Sequence, residues 1–184
     1  MTLWTLFLTV ALASIVYAVD FASPVLLTSG GQSADPQMVK TLLTRESIAF
    51  EFKPLATADD LTGKGAVIIV LGGSSKGLGA AKVSAEEESA RITGLLTTAK
   101  SKGIPVLAMH IGGKNRRGAL SDEFNKLGAE HADELIIVAG GDEDGFFKKI
   151  SEASKSELYE AAKIADLGAM LRERFPAPAE PAQE

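Results

Sequence analysis

Cysteine is absent, and with it go disulfides, thiolate nucleophiles and cysteine-ligated zinc or iron–sulfur centres. Histidine is nearly absent as well: His110 and His131 are too few for a histidine-built metal site, and no cofactor is expected. Aromatic residues make up 6% of the chain, and Trp4 and one of the two tyrosines, Tyr17, fall in its first eighteen residues. That leaves few rings to sandwich a flavin. An excess of positive charge is also missing. The formal net charge is −5, which argues against nucleic acid as a partner, because binding a phosphate backbone needs a basic face.

What is present is ordinary for a globular protein: 46% hydrophobic and 23% charged residues in a chain of 184. That length has room for one domain with a substantial core. The opening MTLWTLFLTVALASIVYA contains no charged side chain. Its apolar run over 3–16 leads to Val16-Tyr17-Ala18, with small residues at −3 and −1 of a cut after Ala18, the layout of a secretory signal peptide. An uncleaved membrane anchor over 3–18 is the alternative, although a span takes about 20 apolar residues and Asp20 ends the run early. A buried N-terminal helix is a third option. The expected organisation is a leader (1–18), one α/β domain (19–175) and a disordered Pro/Ala-rich tail (176–184), in an exported protein, periplasmic or extracellular.

Beyond the leader, apolar runs alternate with amphipathic stretches. Strands are expected over 24–28, 49–54, 66–71, 105–110 and 134–139. Helices are expected over 35–45, where Ser33-Ala34-Asp35 suits a cap, and over 85–102, which opens with Glu86-Glu87-Glu88 and closes before Gly103. Further helices are expected over 121–132, 142–154 and 163–175, with at most one helical turn in 57–65. Residues 156–161 read as a sixth strand, or as the start of one long helix. The alternation predicts a three-layer open parallel sheet of five or six strands, Rossmann-like, with the flavodoxin-like order 2-1-3-4-5.

In such a sheet the polar loops after the first, third, fourth and fifth strands share the carboxyl edge, where open α/β folds bind ligands. Ser29, Gly31, Gln32 and Ser33 follow the first strand, and Gly73, Ser74, Ser75, Lys76 and Gly77 the third. His110, Gly113, Lys114, Arg116 and Arg117 follow the fourth, and Asp142, Glu143 and Asp144 the fifth. Glycines let backbone approach a ligand, and the basic residues add positive charge. The pattern suggests a site for a small anion. The fifth-loop acids would cap their own helix, bind a cation or pair with the arginines.

Sharper motifs compete for the same residues. VLGGSSKGLGAA resembles the glycine motif of short-chain dehydrogenases, and Tyr159 and Lys163 fit their Y-x-x-x-K spacing. Yet the motif stands on the third strand rather than the first, and the N-A-G signature is missing. Gly73-Ser74-Ser75-Lys76-Gly77 satisfies the G-x-S-x-G elbow, making Ser75 a candidate nucleophile and His110 its base, with Asp142 or Asp144 to orient it. The chain order Ser–His–Asp departs from that of α/β-hydrolases. His131 precedes the fifth strand and belongs towards the opposite edge.

PVLLTSGGQSADPQMVKTLL, IIVLGGSSKGLGAA and HIGGKNRRGALSDEF resemble a bacterial family of exported small α/β proteins catalogued only as a domain of unknown function. The resemblance implies a small extracytoplasmic α/β protein and supplies no activity. Three readings follow: a domain binding a small anionic molecule, accessory to a membrane transporter or to solute sensing; a hydrolase using Ser75 or His110; or a structural protein contacting an envelope partner.

Overall fold

The computed structural model describes residues 19–176. The leader, and all of the tail beyond Pro176, lie outside the described residues. Strands β1 (Val25–Gly30), β2 (Phe50–Phe52), β3 (Ala66–Leu71), β4 (Val106–His110), β5 (Glu134–Val138) and β6 (Glu157–Ala161) form one sheet. Its order is β2-β1-β3-β4-β5-β6 and every pairing is parallel. This is the expected open sheet, with residues 157–161 taking the strand alternative.

All residues of β1, β3, β4 and β5 are buried, because helices cover both faces. Alternation along each strand divides the apolar side chains between two layers. Leu27, Val70 and Met109 face the layer containing α1 (Pro36–Arg45) and α6 (Leu167–Arg174). Leu26, Ile69 and Ile137 face α3 (Ala85–Ser101), α4 (Ala119–Glu130) and α5 (Phe146–Ser154). The chain turns to opposite faces after β1 and β3, so a crevice is expected between these neighbouring strands at the carboxyl edge. Val19 and Pro176 line one cleft of about 380 Å3 at the other, amino, edge, where His131 also lies.

Three local features depart from the sequence reading. The glycine loop after β3 is shorter than expected, because α2 (Ser75–Ala81) begins inside it, capped by Ser74, whose Oγ accepts from the Gly77 amide at 3.0 Å. Gly77 and Gly79 hide this helix, since glycine opposes helix by about 1 kcal/mol relative to alanine. The start of α5 lies at Phe146 rather than 142, since Gly145 holds a left-handed φ of +70°. Asp35 stands at the N-cap position of α1 but makes no capping bond. By contrast the α3 start has a full capping box, with Glu87 N–H donating to Ser84 Oγ at 3.1 Å and Ser84 N–H to Glu87 Oε2 at 2.8 Å.

Gly77 is required by packing: a Cβ there would lie 1.8 Å from the Gln32 carbonyl oxygen, which is backbone and cannot rotate away. Gly77→Ala is therefore expected to destabilise the domain by roughly 1–3 kcal/mol, the range for overpacking. Urea unfolding measures it, and an unchanged midpoint would show that α2 is free to shift.

Candidate functional site

The structure brings the four loops to one edge, but the β1–β3 crevice is closed by their own backbone. Gly72 N–H donates to Gly30 O at 2.9 Å, Ser74 N–H to Gly31 O at 2.9 Å, and Gln32 bridges Gly73. Two more glycine amides of these loops are engaged as well. Gly31 N–H donates to Glu88 Oε1 at 3.0 Å, and Gly73 N–H to Ser121 Oγ at 3.1 Å. The amides of Gly31, Gly72, Gly73 and Ser74 are thus spent within the protein rather than free to cradle a phosphate.

The strongest polar assembly was missed in the sequence. Glu88 on α3 is fully buried, and Arg91 one turn on grips it through Nε at 2.8 Å and one Nη at 2.7 Å. The same arginine donates to Ser29 O at 2.6 Å and Ala56 O at 2.7 Å. Glu88 also accepts from Gln32 Nε2 at 2.9 Å. These bonds hold Gln32 in a left-handed backbone, φ +58°, a conformation costing a non-glycine residue roughly 1–3 kcal/mol. The signal was available: Glu88 falls on the buried stripe with Ile92, Leu95, Leu96 and Ala99, at helical spacing.

Arg116 is differently placed. Its Nε donates to the Asp35 carboxylate at 3.1 and 3.3 Å, which explains why Asp35 leaves α1 uncapped. Among the described residues neither terminal nitrogen of Arg116 takes an acceptor, and the side chain is 34% exposed. Ser33 and Gly72 adjoin it, a Cβ on Gly72 falling 3.3 Å from Ser33 Oγ and 3.6 Å from Arg116 Cδ. Below them Ser29, 1% exposed, has a hydroxyl without a partner among the described residues. Ser75 and Lys76 are exposed at the start of α2.

Arg117 is fully engaged. It donates to Asp122 at 2.7 Å, to Asp144 at 2.9 and 3.0 Å and to Gly141 O at 2.8 Å, and stacks 4.4 Å from the centre of the Phe146 ring. These contacts hold Asp144 at about 2, well below an ordinary aspartate, and raise Arg117 further. Burial works to raise Asp122, but Arg117 and Asn125 together bring it below its ordinary value. Lys114 pairs with Glu143 at 3.3 Å, and Asp142 accepts from the Phe147 amide at 2.6 Å as a cap for α5. These side chains border a cleft of about 360 Å3 between the loops after β4 and β5. At this cleft Lys114 and Arg117 are each matched by carboxylates.

His110 ends β4 at the expected edge but is completely buried, 4.9 Å from Phe147 between ring centres. Its Nε2 donates to Gly113 O at 3.1 Å, so Nδ1 is the unprotonated nitrogen, and it has no partner among the described residues. Burial pushes the imidazole below its ordinary pKa, against the help of the Gly113 carbonyl. The Ser75–His110 dyad is not formed, and neither Asp142 nor Asp144 bonds to the ring. Tyr159 lies in β6 with its phenol on Glu157, so it does not share a helical face with Lys163 and the dehydrogenase pair fails.

Two outcomes follow from these bonds. Arg91→Ala leaves the buried Glu88 charge unpaired and is expected to cost roughly 3–5 kcal/mol in urea unfolding; a loss under 1 kcal/mol would mean the pair is dispensable. His110 binds its proton less readily folded than unfolded, so its contribution is fully present above the ordinary imidazole pKa. It is lost as pH falls through the lower folded value. Melting temperature should therefore drop on acidification below about pH 6.5, with a shallower slope in His110→Gln. Equal slopes would remove His110 from the account.

Some solved structures align with the chain at low scores. A GDSL-like lipase from Bacteroides thetaiotaomicron aligns with TM-score 0.38 and 12% identity, over 82% of this chain and 72% of its own. The esterase EstA from Pseudoalteromonas sp. aligns with TM-score 0.34 and 13% identity, over 76% and 78%. AlinE4, an SGNH-hydrolase family esterase, aligns with TM-score 0.32 and 13% identity, over 91% and 88%. At such low scores these likenesses carry no argument about this chain. No curated protein matches it by sequence. The profile of DUF6305, a domain of unknown function, matches residues 22–175 and so takes in all three segments that carried the resemblance; the chain belongs to that family.

Proposed function

We propose that the protein is a binding domain that takes a small anionic molecule at the carboxyl edge of its sheet, above the loops following β1, β3 and β4. One observation carries this reading: Arg116 is held by its Nε on Asp35 while both terminal nitrogens remain without an acceptor among the described residues. Arg91 and Arg117, by contrast, have every guanidinium nitrogen engaged. A guanidinium fixed from behind and open in front loses little freedom on meeting an anion.

Within this reading Ser33, Gln32 and Ser74 shape the rim, and Ser75 and Lys76 lie exposed beside it. Lys76 has no carboxylate partner among the described residues and adds a second positive charge. His110 and Arg117 act from beneath, by holding the β4 and β5 loops. Export belongs to the same proposal and rests on the apolar leader with its small residues before Asp20. A site for small anions on an exported domain suits solute capture beside a membrane transporter or a sensor.

A thermal-shift screen of carboxylates, phosphates and nucleotides tests the reading. A bound anion at 100 times its dissociation constant should stabilise by about 2.7 kcal/mol. Arg116→Ala should abolish the shift and Lys76→Ala reduce it. A panel without any shift, or a shift that survives Arg116→Ala, overturns the site.

A further inference from the structure

The first residues of a domain are usually poorly ordered unless the fold ties them down. Here they are tied. Phe21, two residues past Val19, is 4% exposed, with its ring centre 5.6 Å from that of Phe175. The Ala22 carbonyl lies against Gly65, where an added Cβ would come within 2.5 Å of its oxygen. Gly65 N–H donates to Pro24 O at 3.0 Å, and Val25 N–H to Ala49 O at 2.9 Å. Val19 itself is half-buried against the core and borders three clefts along the amino edge.

Asp133 borders two of those clefts. Its backbone is held between strands, the N–H donating to Val106 O at 2.9 Å and the carbonyl accepting from Glu157 N–H at 3.1 Å. Its Oδ2 accepts from Val106 N–H at 2.8 Å, while Oδ1 takes no donor among the described residues. The Val19 N–H likewise has no acceptor among them. Of the other charges on these clefts, Glu130 is paired with Lys126 and Glu134 with Arg174. Asp20, Glu157 and Glu173 are opposed only by Lys100 and Lys155, so the amino rim carries an excess of negative charge.

We propose that the leader is cut between Ala18 and Val19, and that the Asp133 carboxylate then binds the new α-ammonium of Val19 at the amino edge. Hydrolysis by an envelope endopeptidase adds water across the Ala18–Val19 peptide bond. Ala18 leaves with the new carboxylate, and Val19 keeps an amine that is largely protonated at neutral pH. The uncut chain has a neutral amide at the same place and cannot form the pair. Leader removal thus adds an attachment between the first residue of the domain and the start of β5. This rests on the export half of the reading above and is independent of the anion site.

Mass spectrometry of the protein exported through its own leader should find a chain that begins at Val19. Inserting Gly-Gly between Ala18 and Val19 leaves the small residues before the cut in place and carries the ammonium up to about 7 Å away. At pH 7 the processed native form should melt about 2 °C above the inserted one, the scale of one exposed ion pair in a domain of this size. The gap should close in an Asp133→Asn background, where the side-chain oxygen still accepts from Val106 N–H. It should close as well above about pH 10, where the amine is neutral. A processed chain that starts elsewhere, or one that keeps its leader, overturns the cut. Equal melting of the two forms, or a gap that Asp133→Asn leaves unchanged, overturns the ammonium contact while the cut stands. Absence of the protein from the cell envelope and the medium removes export, and this inference with it, without touching the anion site.

Discussion

The carboxyl edge depends on one buried ion pair. Glu88 and Arg91 lie a turn apart on α3, and between them they reach the backbone of β1, the amide of Gly31, the side chain of Gln32 and the carbonyl of Ala56. A fully buried carboxylate is tolerable only when paired and hydrogen-bonded on both oxygens, and here both conditions are met. The pair joins the end of β1 and its loop, the segment after β2, and α3. The left-handed Gln32 and the contact of Gly77 with its carbonyl both follow from it.

Around that anchor the charges fall into two roles. Arg117 is a strut between the β4 and β5 loops, closed on Asp122 and Asp144 and resting on Phe146. Arg116, the residue just before it, turns to the other side and is held from one edge only. Adjacent residues with the same side chain thus have opposite availability. The difference comes from the number of carboxylates each meets, not from the residue type.

The strands were legible because a parallel sheet buried on both faces writes itself as continuous apolar runs, as at 66–71 and 134–139. The order was legible because connections are short and of one hand. The edge was legible too, since glycines and polar residues follow β1, β3, β4 and β5. What could not be read was the use of those residues. Glu88 looked like one of three equivalent acids at a helix start, although its register with Ile92 and Leu95 marked it as buried. Asp35 looked like a cap, and only the folded chain brings Arg116, 81 positions away, to claim it. Ser74-Ser75 looked like loop because glycines mask a short helix. Hydrogen-bond partners distant in sequence leave no periodic trace, and the site is built almost wholly from them.

The two ends of the described chain have a practical bearing. Val19 and Pro176 border the same cleft at the amino rim, where β1 enters and α6 runs out. Arg116 stands at the far rim, a strand length away. Whatever is joined before Val19 or after Pro176 therefore attaches on the side remote from the candidate site. A bead or a fused reporter attached next to Val19 or Pro176 would thus sit at the amino rim, away from the carboxyl edge.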